Sequence, residues 1–143
     1  MIVCDAPIIP WEGMGGVKLY STIKECKSTI ERRDVKAVLL NNLWVRYEID
    51  NMMYLFFHLV NGKLFKITTL DEYKGKLFNK IGVGMTESEL LEIEPSFVYD
   101  EFEEVFESEK GVFLETDPVH HTVKYISVFI KELDDKNFEE GLW

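Results

Sequence analysis

The dipeptide Asn61-Gly62 stands between two apolar runs, residues 53–60 and 63–69, that are rich in aromatic and β-branched side chains. Asn and Gly tolerate the positive backbone angles of a type I′ turn, so this pattern predicts an antiparallel hairpin. Residues 43–49 form a further strand-like run before it, and aromatic runs of the same kind recur at 97–102, 103–107, 111–115 and 123–131. Polar turn residues at 108–110 and 117–121 separate the later runs, and the Lys- and Gly-rich stretch 71–80 reads as a connection.

Helical signals are fewer. Residues 22–35 place Ile23, Cys26, Ile30 and Arg33 at spacings of three and four, with Ser21 or Thr22 as N-cap and Glu25 completing a capping box. Thr86 opens a second, short helix with Glu89 at the box position, and Pro95 ends it. The fold class expected is therefore α+β, an antiparallel sheet with few short helices. Each helix follows a similar Gly-Val entry, at Gly16-Val17 and Gly82-Val83, and precedes a set of strands. That likeness suggests a tandem helix-plus-strands pseudo-repeat, residues 16–70 and 80–131, sharing one sheet. The polar stretch 134–140 is expected to fray, with Leu142 and Trp143 as candidates to dock.

A chain of 143 residues with 46% hydrophobic content can bury one good core, which points to a single domain, residues 1–143. The longest apolar run, 52–60, is too short to cross a bilayer and contains His58. The start, MIVCDAPIIPWEG, lacks the basic beginning and long apolar centre of a secretory leader. Two cysteines, Cys4 and Cys26, have neither metal nor redox spacing. Together these predict a cytoplasmic protein without a membrane segment.

Charge is unevenly placed. Residues 1–86 hold 12 Lys or Arg against 9 acids, whereas residues 87–117 hold Lys110 alone against 12 acids, within a total of -10. So negative a segment repels nucleic acid and draws cationic proteins inward. Its densest part is Tyr99, Asp100, Glu101, Phe102, Glu103, Glu104 and Glu107. On a continuous strand Glu101, Glu103, Val105 and Glu107 would share one face, a row of carboxylates that raise one another's pKa and favour a cationic ligand. Three readings stay open: a solvated acidic strand or short helix, a surface for the Lys and Arg side chains of a partner, and a metal or acid/base site. Calcium loops need a Gly turn and alternating ligands that are missing here.

Other constellations are weaker. His120 and His121 are adjacent, so on a strand they point to opposite faces and do not chelate one ion. His58 reads as a core or half-buried histidine sharing a face with Tyr54, Phe56 and Val60. Trp11, Trp44 and Trp143 read as packing aromatics before interface anchors. There is no Gly-x-Ser-x-Gly elbow, His-Glu-x-x-His helix or phosphate loop, and Gly82-Val83-Gly84 lacks the third glycine of a dinucleotide fingerprint. No catalytic residue, metal ligand or cofactor is assigned.

The stretches Ile81-Gly82-Val83-Gly84-Met85-Thr86, Pro95-Ser96-Phe97-Val98-Tyr99-Asp100-Glu101-Phe102, Gly111-Val112-Phe113-Leu114-Glu115-Thr116-Asp117 and Ile126-Ser127-Val128-Phe129 resemble small bacterial immunity proteins. Those are encoded beside polymorphic or contact-dependent growth-inhibition toxins. The Gly-x-Gly-Met-Thr entry is also similar to the tandem modules of β-lactamase-inhibitor-like and outer-membrane assembly lipoprotein folds. The resemblance implies a non-catalytic protein that neutralises a cationic, nuclease-type toxin domain. Its binding residues are then Asp100, Glu101, Glu103, Glu104 and Glu107, with Tyr99 and Phe102 as aromatic anchors. A small enzyme using clustered carboxylates with His120 or His121, and an acidic adaptor without catalysis, are the competing expectations.

Overall fold

The computed structural model describes residues 2–143. It is an antiparallel structure with two short helices, in the α+β class expected. A two-stranded ribbon, β1 (Gly13–Met14) and β2 (Val17–Lys18), precedes the one-turn helix α1 (Lys27–Ile30). Four strands follow: β3 (Lys36–Leu39), β4 (Trp44–Ile49), β5 (Met53–His58) and β6 (Leu64–Thr69). Helix α2 (Glu87–Ile93) leads to four more: β7 (Val98–Asp100), β8 (Val105–Ser108), β9 (Val112–Thr116) and β10 (Val123–Phe129). The main sheet has the order β3-β4-β5-β6-β10-β9-β8-β7. Each half is a helix followed by a four-stranded meander, and the last strands of the two meanders pair at the centre, Val128 opposite Ile67.

Cross-strand register decides which side chains share a face. Tyr47, Leu55, Ile67, Val128, Val112 and Ser108 form one row across the sheet. On this face Ile49, Met53, Leu55, Phe57, Ile67, Leu114, Ile126 and Val128 are completely buried. They belong to one cluster with Ile8, Met14, Ile30, Leu77, Ile81, Leu90 and Phe97 from the ribbon, the helices and the connecting segments. Each such side chain contributes about 1.5–3 kcal/mol of transfer free energy, so this layer holds most of the stability.

The opposite face is covered only in part, by the C-terminal segment. Phe138 is buried and its ring stacks on Trp143, and both lie against His58, while Phe138 also meets Trp44 and Phe65. The tail that was expected to fray is thus docked through Phe138 and Trp143, whereas Leu142 is exposed. His58 is fully buried, its Nδ1 accepting the Val60 N–H at 3.2 Å and its Nε2 unpartnered. Trp11 packs edge-on against Phe129, so all three tryptophans serve packing. Cys4 and Cys26 are both free thiols.

The helix expected over 22–35 is a single turn. Its capping box forms, with the Thr22 hydroxyl accepting the Glu25 N–H and the Glu25 carboxylate accepting the Thr22 N–H, yet only Cys26 and Ile30 of its stripe are buried. So narrow a stripe, with β-branched Thr29 and Ile30 in the helix itself, does not repay propagation. Arg32 instead turns outward to Asp34 and Asp50, and the chain straightens into β3, a strand absent from the sequence reading. The Asn61-Gly62 hairpin exists, but with a five-residue connection, residues 59–63. Gly62 alone takes a positive φ, +70°, and its N–H donates to the His58 carbonyl. Asn61 is held away from a type I′ geometry because its amide donates to the carbonyls of Gly141 and Trp143.

Candidate partner-binding site

The run from Tyr99 to Glu107 is a hairpin tip at the sheet edge, and its carboxylates do not lie along one strand face. Strand β7 ends at Asp100 and β8 begins at Val105, leaving Glu101, Phe102, Glu103 and Glu104 as the connection. The cause is local chemistry: one Asp100 carboxylate oxygen accepts the N–H groups of Phe102 and Glu103, at 2.9 and 3.1 Å, and turns the chain. Glu104 closes the turn at φ +57°, a left-handed conformation that few side chains other than Gly and Asn adopt cheaply.

All four connection residues are exposed, and the Phe102 ring is 91% exposed at the tip. Tyr99 lies half out of the surface against Phe106, ring centroids 5.0 Å apart, and Val98 beside it is exposed. Glu107 sits on β8 opposite Val98, on the other face from Phe106. Burial, and then the carboxylates of Asp100, Asp134 and Glu103, push its pKa above the ordinary carboxylate value. Of the predicted residues, then, Asp100, Glu103 and Glu107 crowd one another electrostatically. Glu101 does not join a row with them, and Glu104 faces a different neighbourhood.

That neighbourhood is a cavity of about 480 Å³ lined by Glu87, Tyr99, Glu104, Phe106, Thr116, Pro118 and His121. Helix α2 fixes Glu87 there: the Thr86 hydroxyl accepts the Glu89 N–H, the Glu89 carboxylate returns to the Thr86 N–H, and Glu87 falls in the first turn. The Thr116 hydroxyl donates to Glu87 at 2.7 Å, and His121 Nδ1 lies 3.7 Å from the other Glu87 oxygen. His120 turns instead to Asp117, at 3.4 Å. The adjacent histidines therefore serve two different carboxylates. Among the described residues no three His, Cys, Asp or Glu side chains converge to hold a metal ion.

No protein-family model matches the chain, and no curated protein matches it. Among solved structures the chain is similar to a cysteine-rich secretory protein from Staphylococcus aureus, with 12% identity and a TM-score of 0.53 over 90% of this chain. The match spans 48% of the staphylococcal chain, about half its length. At that identity the likeness shows the fold alone.

Sequence reasoning missed a second polar site, on the face of the sheet that the tail leaves open. Arg46 of β4 and Lys66 of β6 flank Phe56 of β5 in one register row. The available signal was a lone cation inside each of two otherwise apolar or uncharged strand stretches, Trp44-Val45-Arg46-Tyr47 and Leu64-Phe65-Lys66-Ile67. Among the described residues no helix is long and apolar enough to cross a membrane.

Proposed function

We propose that this chain is a cytoplasmic immunity-type protein that binds and neutralises a cationic toxin domain, with the β7–β8 hairpin as its docking element. The observation that carries this reading is the tip itself: a phenyl ring 91% exposed at Phe102, between Glu101 and the Glu103-Glu104 pair. An exposed ring costs solvation in the free protein and rewards burial against a partner. The carboxylates around it choose the partner's charge. A nuclease-type toxin must be cationic to hold phosphates, and an acidic hairpin offers carboxylates in their place, which speeds encounter and excludes competing acidic proteins. The resemblance to immunity proteins adds a biological setting to this chemistry. The reading requires no cofactor, no metal and no nucleic acid.

The test is co-expression with the cationic C-terminal domain of a toxin encoded beside this chain, followed by binding kinetics at low and high salt. The combined variant Glu101→Lys, Glu103→Lys, Glu104→Lys should slow association by about 10–100-fold at low salt. Phe102→Ala should speed dissociation, costing about 2 kcal/mol or more of affinity if the ring is a buried anchor. Both variants should keep the wild-type melting transition. Unchanged rates with a folded protein would remove the hairpin from the interface.

A further inference from the structure

Arg46 and Lys66 occupy the open face of the sheet, two cations that share their cavity with one carboxylate, Glu115. The Arg46 guanidinium carbon stands 4.3 Å from the centre of the Tyr54 ring, and Lys66 Nζ stands 4.1 Å from that of Phe56 and 5.6 Å from that of Phe113. Among the described residues neither side chain forms an ion pair, and Arg46 Nε is buried with no hydrogen-bond partner at all. Aromatic faces attract cations, yet a desolvated pair of like charges held only by rings remains costly. Burial, together with the repulsion of Arg46, pulls the Lys66 pKa below that of an ordinary lysine, opposed by Glu115. Glu48, a further carboxylate on this face, lies 3.7 Å from Lys36, and Glu107 is in register with Phe113 at the β8 side. Both cations open into one cavity of about 260 Å³, which the Phe113 and Tyr125 rings also line. On its floor Thr68 and Ser127 hydrogen-bond to each other at 2.7 Å, across the central β6–β10 pair.

We propose that this cavity binds a small aromatic carboxylic acid, its carboxylate between Arg46 and Lys66 and its ring against the aromatic wall. Three observations fix the class. Among the charged groups that line the cavity, two cations are opposed by one carboxylate, Glu115, which leaves one positive charge and suits a monoanion better than a doubly charged phosphate. Four rings, Tyr54, Phe56, Phe113 and Tyr125, supply the apolar part of the lining, so the part of the ligand away from the carboxylate is flat. The volume lies just below the range of about 300–1,000 Å³ for ordinary ligand pockets, so the ligand is of single-ring size. This site is independent of the acidic hairpin, and its charge is opposite.

Benzoate is the probe, with benzamide as its neutral isostere, phenyl phosphate as the dianion and acetate as the ringless acid. Titration of the isotope-labelled full chain by NMR should give saturable shifts with benzoate at about millimolar affinity, the scale expected for so small a ligand. Acetate and phenyl phosphate should bind more weakly and benzamide should not saturate. Arg46→Gln and Lys66→Met should each weaken benzoate by about tenfold or more, since each removes a charged contact. Lys66→Met also deletes a costly charge and should not lower the melting temperature. Absence of saturable benzoate shifts in the wild-type chain overturns the proposal, as does equal binding of benzamide. Tighter binding of phenyl phosphate than of benzoate would overturn the choice of a carboxylate.

Discussion

Two hairpins of the same topology, β5–β6 in the first half and β7–β8 in the second, differ in almost every physical respect. Strand β5 lies inside the sheet, and Met53, Leu55, Phe57 and His58 on it are completely buried. Strand β7 is the sheet's outer edge, and Val98 and Tyr99 on it are exposed. The connection between β5 and β6 is tied down from outside, Asn61 reaching the carbonyls of Gly141 and Trp143. Among the described residues, the connection between β7 and β8 makes side-chain hydrogen bonds only to the Asp100 carboxylate at the end of β7, which accepts the Phe102 and Glu103 N–H groups. One hairpin is held by the whole molecule and the other by itself. Stability and the acidic groups of the hairpin tip are thus segregated: the centre supplies the fold, and the edge is free to carry carboxylates that do nothing for it.

The largest effect that tests this division is in the centre. Phe57→Ala should cost about 3–5 kcal/mol in chemical denaturation, the range for emptying a buried aromatic site. Phe102→Ala should change stability by no more than about 0.5 kcal/mol, as at other exposed positions. A cost above about 1 kcal/mol at Phe102 would mean that the tip is packed, and the comparison would fail.

The two connections also differ in backbone chemistry. Gly62 has φ +70° and nothing within 4 Å of the place its Cβ would occupy, so Gly62→Ala tests conformation alone and should cost about 1 kcal/mol. Glu104 has φ +57° with a side chain in place, so Glu104→Gly should run the other way and stabilise by about 0.5–1 kcal/mol. Equilibrium unfolding of the two variants side by side gives both signs. A destabilised Glu104→Gly chain would show that the Glu104 side chain repays its strain within the free protein, a role that the cavity beside Tyr99 and His121 would then supply.

What was legible in the sequence follows the same line. Strands β4, β5, β6, β9 and β10 announce themselves because buried strands need apolar and β-branched residues along their length, and α2 announces itself through Thr86, Glu89 and Pro95. The acidic segment was legible as charge and illegible as shape. Alternation from Glu101 to Glu107 predicts a carboxylate row, but Asp100 offers its carboxylate to two backbone N–H groups, and this short-range competitor outweighs a strand with no core to hold it. Strand β3 escaped notice because all four of its residues are exposed and show no buried face. The Arg46–Lys66 pair was invisible for another reason. Twenty residues separate them, and only the register of β4, β5 and β6 brings them into one row.

The smallest effect expected is at Glu107, and its sign is informative. The Glu107 pKa is raised above the value of 4.5 by burial and by the carboxylates of Asp100, Asp134 and Glu103. A carboxyl whose folded pKa exceeds its unfolded one holds its proton better in the folded state. Its contribution is fully present below the unfolded pKa and is lost as pH rises through the folded pKa. Ionised Glu107 therefore weakens the native chain at neutral pH, and Glu107→Gln removes that penalty. The variant should match wild type at pH values below about 4 and exceed it at pH 7, by no more than about 0.5 kcal/mol because water screens so exposed a group. Added salt should shrink the difference. A gain that persisted unchanged at low pH would locate the cause in packing against β7, and the crowding of carboxylates at this edge would no longer account for the penalty.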